Sequence, residues 1–249
     1  FSPDEKNRLS VFASAANTDR DSYYGPGNDP LKAYGKTTDL TAMGGAQYVH
    51  TFDKCFFMPS DLTAGLEYNR DRLKDNMWGY NRHTDQTVNI YSAFLQNEWK
   101  NDRWGILIGG RLDKHNMVDN VIFSPRANLR FNPTQNINLR LSYSSGFRAP
   151  QAFDEDMHIE NVGGTVAMIE RAKDLKEEKS QSFSASADMY HRFGAFQTNL
   201  LIEGFYTRLT DVFVLGEPYD RGDGILVKTR SNGPGAKVMG LTLEGKVAY

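Results

Sequence analysis

The sequence has 249 residues, with 29 Lys and Arg against 31 Asp and Glu, so its formal net charge is −2. This even balance gives no electrostatic reason to expect a nucleic-acid partner. Aromatic residues make up 12% of the chain, more than a disordered segment would carry, and the single cysteine, Cys55, excludes an internal disulfide. No apolar run reaches the roughly 18 residues that a transmembrane helix needs.

Segments in which apolar and polar residues alternate recur along the whole chain, and each is predicted to be a β-strand. In 136–144, the clearest example, Ile137, Leu139, Leu141 and Tyr143 alternate with Asn, Arg and Ser. Alternation of period two gives a strand one apolar and one polar face. The predicted strands are, in chain order, 6–14, 39–52, 60–69, 86–100, 103–114, 122–131, 135–145, 177–191, 194–210 and 236–249.

The connections between these strands alternate in length. Short turns are predicted at 53–59, 101–102, 132–134 and 192–193, and long loops at 15–38, 70–85, 146–176 and 211–235. In an antiparallel meander this order puts every long loop at one end, as in transmembrane β-barrels. Aromatic residues that would form an interfacial girdle cluster beside the short turns: Phe52, Phe56, Phe57, Trp99, Trp104, Phe131, Tyr190, Phe193 and Phe196. The pattern predicts an all-β antiparallel transmembrane barrel.

Several motifs follow one another in a fixed order along most of the chain. They are Gln96-Asn97-Glu98-Trp99, Gly109-Gly110-Arg111-Leu112-Asp113, Phe123-Ser124-Pro125-Arg126-Ala127, Ser145-Gly146-Phe147-Arg148-Ala149-Pro150, Leu175-Lys176-Glu177-Glu178-Lys179-Ser180, Phe205-Tyr206 with Asp211, and Asn232-Gly233 with Ala236 and Gly240-Leu241-Thr242-Leu243-Glu244. Taken together, this set resembles the barrel domain of TonB-dependent outer-membrane receptors, with the weakest similarity before about residue 60.

The resemblance carries expectations about architecture and function. Members of this family have a barrel of about 22 strands filled by an N-terminal plug, so residues 1–249 are expected to be part of that barrel domain, about ten strands, with the plug absent. The expected function is uptake of a scarce nutrient (siderophore, haem, cobalamin or oligosaccharide) across the outer membrane of a Gram-negative bacterium. Partners would be the ligand at the external loops, the lipid bilayer and, through the plug, the TonB complex. No enzymatic activity, catalytic residue, metal site or cofactor is expected.

Two loop residues are the candidate ligand contacts, Arg148 and His158. Arg148 follows Gly146 at a predicted strand end, where it lies either at the barrel mouth or in a purely structural contact. In haem-taking members of the family a histidine lies between a box similar to 147–150 and an Asn-Pro-x-Leu box. Imidazole is a usual axial ligand of haem iron. His158 has that place, but the Asn-Pro pair is missing and the acidic segment 154–156 disfavours an anionic porphyrin, so an exposed loop histidine is the alternative.

Other function classes stay open from the sequence. A complete ten-stranded barrel protease would need an acid–histidine pair at the loop end, and His115 with Asp113 or Asp119 is the nearest candidate. A passive porin would use rows of charged lumen residues to tune ion preference. A soluble β lectin or adhesin would instead bury the aromatic residues in a core. Asp71 and Asp75 are interpreted as solvated loop charges rather than calcium ligands, because no calcium-loop spacing surrounds them.

Overall fold

The computed structural model describes residues 1–23, 34–80, 82–152, 160–162, 165–222 and 226–249. Ten long strands are β1 (Asn7–Tyr23), β2 (Tyr34–Cys55), β3 (Met58–Met77), β4 (Arg82–Lys100), β5 (Trp104–His115), β6 (Ile122–Thr134), β7 (Ile137–Arg148), β10 (Glu178–Phe193), β11 (Phe196–Thr210) and β15 (Ala236–Ala248). The short strands are β8 (Glu160–Val162), β9 (Thr165–Arg171), β12 (Phe213–Leu215), β13 (Tyr219–Asp220) and β14 (Leu226–Asn232). In the described residues no helix is long and apolar enough to cross a membrane.

The ten long strands form one antiparallel sheet in the order β1-β2-β3-β4-β5-β6-β7-β10-β11-β15. Each strand pairs with its neighbour in the chain, apart from the two short-strand excursions after β7 and β11. Every predicted strand is present, so the all-β prediction is confirmed. Within the part of the chain described, β1 and β15 lie at opposite edges and do not pair, so these ten strands do not close into a barrel by themselves.

One face of this sheet, called the apolar face below, carries exposed apolar side chains in register. Ile106 lies opposite Leu129, which lies opposite Leu141, and the row continues through Ala185 and Gly204 to Leu241. Leu241 has 77% of its surface exposed, and many large apolar side chains of this face are also exposed. A continuous apolar surface of this extent is unfavourable in water and favourable in lipid.

The opposite face, called the polar face below, carries the alternate residues of the same strands. A row across five strands consists of Arg130, Arg140, Ser186, Glu203 and Thr242, each opposite the next. Side chains of this kind line the water-filled interior of transmembrane barrels. The sequence therefore assigns lipid to one face and water to the other by simple alternation.

Aromatic rings gather at the end of the sheet that carries the short turns. Trp104 stacks on Phe131 with ring centroids 4.1 Å apart, and Phe57 stacks on Trp99 at 5.6 Å. The indole N–H of Trp99 donates to the carbonyl of Cys55 at 3.0 Å. The predicted clustering of rings beside the short turns is therefore observed, and these rings present an apolar body to lipid while their polar groups reach the backbone.

Four strands extend further toward the long loops than the sequence predicts. β1 runs to Tyr23, β2 begins at Tyr34, β3 runs to Met77 and β4 begins at Arg82. The predictions of long loops at 15–38 and 70–85 were wrong over most of their length. Beyond the lipid-contacting band both faces of a strand meet water, so these segments continue as strands without the apolar–polar alternation that reveals them.

A second, smaller sheet forms from the two long connections that follow β7 and β11. Its strand order is β12-β14-β9-β8, and β13 pairs with β14. β9 and β14 come from different connections and pair in parallel, from Leu226 opposite Ala167 to Arg230 opposite Arg171. β8 and β9 pair antiparallel, from Glu160 opposite Ala167 to Val162 opposite Thr165.

Candidate ligand-binding site

The end of β7 is held by a small apolar cluster at the loop end of the sheet. Phe147 packs against Val118, Ile122 and Ala149, the last three of which are buried. Pro150 follows and cannot donate to a ladder, so the main sheet ends here. The motif 146–150 therefore fixes the point at which the first long connection leaves the sheet.

Three segments meet at the side chain of Gln86 on β4. Its Oε1 accepts a hydrogen bond from the amide of Ala152 at 2.8 Å and another from Nη1 of Arg171 at 2.8 Å. The same Nη1 donates to the carbonyl of Pro150 at 3.0 Å. Because Gln86 is buried, these bonds tie the first long connection and the end of β9 to the main sheet.

A buried ion pair stands at the tip of the β3–β4 hairpin. Nε and Nη2 of Arg82 donate to Oδ2 of Asp75 at 3.0 and 2.8 Å, and the hydroxyl of Thr37 donates to Oδ1 of Asp75 at 2.7 Å. The side chains of Asp75 and Arg82 are 1% and 10% exposed. The interpretation of Asp75 as a solvated charge was wrong, because the hairpin continues to Met77 and the arginine reaches the carboxylate across it.

His115, the last residue of β5, is fully buried beside this region. The backbone amide of Met117 donates to its Nδ1 at 3.0 Å, so the proton lies on Nε2, which faces Oε1 of Gln151 at 3.3 Å. Burial lowers the pKa of His115, and the residue is neutral at neutral pH. At about 3.3 Å per residue and a strand tilt of about 40°, His115 lies about 28 Å from Trp104 along the membrane normal. It is therefore outside the apolar band.

A cavity of about 580 Å³ opens between the β4 end, the first long connection and the second. Of the described residues that line it, four are basic, Arg82, Arg171, Lys173 and Arg221, and one is acidic, Glu170. Nη1 of Arg221 lies 3.7 Å from Oε1 of Glu170, and Lys173 is exposed. The cavity is therefore basic, and both long connections contribute to it.

Below this cavity the polar face carries a second group of charged residues. Nη1 of Arg111 donates to Oε2 of Glu67 at 2.6 Å, and its Nε donates to Oδ1 of Asp113 at 2.8 Å. The hydroxyl of Ser92 donates to the same Asp113 oxygen at 2.6 Å. A cavity of about 450 Å³ lies over Arg111, Glu67 and Arg126. A hydrated ligand that leaves the loop cavity along the polar face would meet this group next.

A further cavity, of about 1040 Å³, has a different character. Ile106, Leu141, Phe183 and Leu241 line it, and all belong to the apolar face. It is a shallow depression on the surface that contacts lipid, with hardly any polar lining. We therefore assign it to acyl chains and place the candidate ligand site at the loop end.

The structure separates the residues that the sequence singled out. The Arg148 guanidinium lies 5.4 Å from the centre of the Phe213 ring, and the amide of Phe213 donates to Glu178 at 2.9 Å. Arg148 thus packs against the second long connection at the end of β7. His158 lies outside the described residues. Asp113 and His115 have different partners, as described above, so the acid–histidine pair of a protease is not formed by them.

The basic residues of the cavity escaped the sequence analysis. Arg171 and Lys173 lie in the predicted loop 146–176, and Arg221 lies in the predicted loop 211–235, about 50 residues later. The parallel pairing of β9 with β14 brings the two loops together. The sequence held no signal for this site, because acidic residues outnumber basic ones in both connections.

These features define a wall segment of a transmembrane β-barrel with a basic site at its loop end. Residues 4–249 match the family profile described as "TonB dependent receptor-like, beta-barrel". The chain belongs to this TonB-dependent receptor family. A search of curated proteins finds no match.

Solved structures with the same fold come from several bacteria. The siderophore receptor PirA from Pseudomonas aeruginosa has a TM-score of 0.67 and 14% identity, over 96% of this chain and 47% of that one. A ferric enterobactin receptor (PfeA) mutant from the same organism, in complex with enterobactin, has a TM-score of 0.69 and 19% identity, over 95% of this chain and 38% of that one. The FrpB iron transporter from Neisseria meningitidis has a TM-score of 0.68 and 16% identity, over 95% of this chain and 38% of that one. The chain thus spans less than half the length of these receptors.

Proposed function

We propose that this chain forms part of the barrel wall of an outer-membrane receptor that takes up an anionic iron chelate of the siderophore class. The receptor resides in the outer membrane of a Gram-negative bacterium and draws energy from the TonB complex through a plug. Three lines of support are the family membership, the names of the similar structures, and the basic cavity at the loop end.

The charge of the loop cavity is the observation on which this proposal rests. Among the described residues of its lining, four cations face one carboxylate, and Asp75, bound to Arg82, adds a second carboxylate behind the wall. The excess positive charge favours an anion. A ferric complex of three catecholates has a net negative charge, whereas a neutral oligosaccharide would gain nothing from these cations.

Transport along the polar face requires no bond chemistry. Ligand released from the loop cavity would pass the Arg111–Glu67 group. Its mixed charges offer hydrogen-bond donors and acceptors but no site that binds the ligand tightly. We therefore propose a transporter and not an enzyme. Direct ligand contacts by Arg148 and His158 remain predictions of this proposal, with haem the ligand that a His158 contact would favour.

Reversing the charge of Lys173 tests the proposal. In the intact receptor Lys173→Glu is expected to raise the Kd for ferric enterobactin, used as the probe, by roughly tenfold or more, which is about 1.4 kcal/mol. An exposed cation makes a modest contribution to each contact, and its reversal replaces attraction by repulsion. The measurement is quenching of intrinsic fluorescence on titration of the purified receptor.

The matched control is Lys176→Glu, an exposed lysine three residues away that does not line the cavity. It is expected to leave the Kd within about twofold. Equal effects of the two reversals would contradict a ligand site in this cavity. Binding of neutral maltooligosaccharides in preference to the ferric catecholate would contradict the proposed ligand class.

A further inference from the structure

The apolar face of β3 changes character along the strand toward the loop end. Its outward residues run Leu62, Ala64 and Leu66, then Tyr68, and then a run of three cations. We call the cations Arg70, Arg72 and Lys74 the basic strip. Because successive outward residues are two apart, the strip continues the same face that contacts lipid below it.

The height of the basic strip follows from strand geometry. Ser60 lies opposite Trp99 in the lower ring of aromatic residues, and Arg70 is ten residues further along β3. At about 3.3 Å per residue and a tilt of about 40°, Arg70 lies about 25 Å above that ring, which is the height of the apolar band of such barrels. Arg72 and Lys74 follow at steps of about 5 Å, at the level of the lipid head groups.

Tyrosines mark the boundary directly beneath the strip. Tyr68 stacks on Tyr91 with ring centroids 4.9 Å apart, and the hydroxyl of Tyr68 donates to Asn89 at 2.8 Å. Lys114 lies opposite Tyr91 on the next strand. Tyrosine pairs of this kind belong to the membrane–water interface, so the cations above them face the head groups and not the acyl chains.

The basic strip has few carboxylates near it. Arg70 lies between Ala42 and Asn89, and Arg72 lies between Leu40 and Thr87. Both arginines are exposed, and neither is paired with a carboxylate of the described residues within 4.0 Å. Lys74 has a long, exposed contact with Asp85 at 3.7 Å, and Asp19 and Asp21 are two strands away on β1. The strip is thus left with a net positive charge that faces the lipid head groups.

The same arrangement recurs on the apolar face of β11 and β15, near the opposite edge of the sheet. Tyr206 lies opposite Met239 on the apolar face, and the next outward pair toward the loops is Arg208 opposite Lys237, both exposed. Arg208 is 12 residues from Phe196, at about 30 Å along the membrane normal by the same geometry. Outward cations above an aromatic residue therefore occur twice at similar height.

We infer that the basic strip binds the phosphate groups of a phosphorylated glycolipid of the outer leaflet. The inference rests on the outer-membrane location in the proposed function. Arginine guanidinium groups bind phosphate in two-pronged hydrogen bonds, and clustered cations beside a membrane-spanning segment recognise anionic head groups. Continuity with the lipid-contacting face makes a lipid, and not a soluble anion, the occupant of this surface.

Lipid binding by the intact receptor in nanodiscs tests the inference. The probes are bisphosphorylated lipid A and the same lipid A with its phosphates removed, titrated by native mass spectrometry. Arg70→Gln with Arg72→Gln is expected to weaken binding of bisphosphorylated lipid A by roughly tenfold, to the level at which the unchanged receptor binds the dephosphorylated lipid. Arg70→Lys with Arg72→Lys keeps the charge and is expected to retain most of the binding.

Lys54→Gln, at an exposed position at the turn end of β2, is the control and should bind lipid A as the unchanged receptor does. The inference is overturned if the glutamine variant binds bisphosphorylated lipid A unchanged, or if removal of the phosphates has no effect. Ferric enterobactin binding, measured on the same samples, should not change in the strip variants. Loss of phosphate-dependent lipid binding and loss of iron-chelate binding therefore report on the two proposals separately.

Discussion

Replacing Arg82 with leucine is expected to destabilise the tip of the β3–β4 hairpin by about 3–5 kcal/mol. The substitution leaves the Asp75 carboxylate, 1% exposed, with only the Thr37 hydroxyl as a side-chain donor among the described residues. A buried charge without its counter-ion is far more costly than the intact pair. Hydrogen exchange of the amides of 73–77 in the intact receptor should accelerate by at least about 100-fold, since each 1.4 kcal/mol is about tenfold.

A neighbouring pair supplies the control for this prediction. Lys74 and Asp85 lie 3.7 Å apart with side chains 47% and 62% exposed. Exposed pairs contribute about 0–1 kcal/mol, so Lys74→Leu should change exchange by less than about fivefold. The double variant Asp75→Leu with Arg82→Leu removes both charges and should recover part of the loss. Equal exchange in Arg82→Leu and Lys74→Leu would show that the buried pair does not hold the hairpin tip.

Val227→Asp is expected to release both long connections at once. Val227 is fully buried in β14 and lies opposite the buried Met168 of β9. A carboxylate there lacks a partner, which costs several kcal/mol and exceeds what a sheet of short strands gains from its few hydrogen bonds. Trypsin should then cut within 170–176 and within 217–230 on intact cells, at sites that are protected in the unchanged receptor. Binding of ferric enterobactin should fall by roughly tenfold, since Arg171 and Arg221 lie on different connections.

Val214→Asp is the matched control, because Val214 belongs to the same small sheet but is exposed on β12. It should leave both cleavage and binding close to the unchanged receptor. Cleavage confined to the connection after β11 in Val227→Asp would mean that the two connections fold independently. The basic cavity would then depend on something other than the parallel pair of β9 and β14.

The sequence predicted the membrane-spanning part of the fold because two solvents imposed a pattern on it. Residues such as Leu139, Arg140 and Leu141 alternate because one face meets lipid and the other meets water. Beyond that band the constraint disappears, and the ends of β1 to β4 read as polar loops although the backbone ladder continues. The number of strands in the main sheet was therefore predictable, whereas their lengths and the five short strands of the second sheet were not.

The candidate site was less accessible to sequence reasoning than the fold. The segment 146–150 marked the strand end correctly, but Arg148 packs against Phe213 in the structure. Arg171 acquires its place through Gln86, which is 85 residues away in the chain, and Arg82 acquires its place through Asp75, on the facing strand of the same hairpin. Neither contact follows a local sequence pattern. Pairing between two irregular loops depends on tertiary context, which propensity and periodicity do not encode.

The proposed function depends on a main sheet whose apolar face contacts lipid and whose polar face contacts water. Spin labels along β7 test this arrangement most directly. Leu139→Cys, Arg140→Cys, Leu141→Cys and Ser142→Cys would each be made in a Cys55→Ser background and labelled in the intact receptor in bilayers. Labels at 139 and 141 are expected to collide mainly with molecular oxygen dissolved in lipid, and labels at 140 and 142 mainly with a water-soluble nickel chelate. Accessibility that does not alternate, or that leaves both faces shielded from lipid, would contradict a membrane-spanning wall with a hydrated inner face.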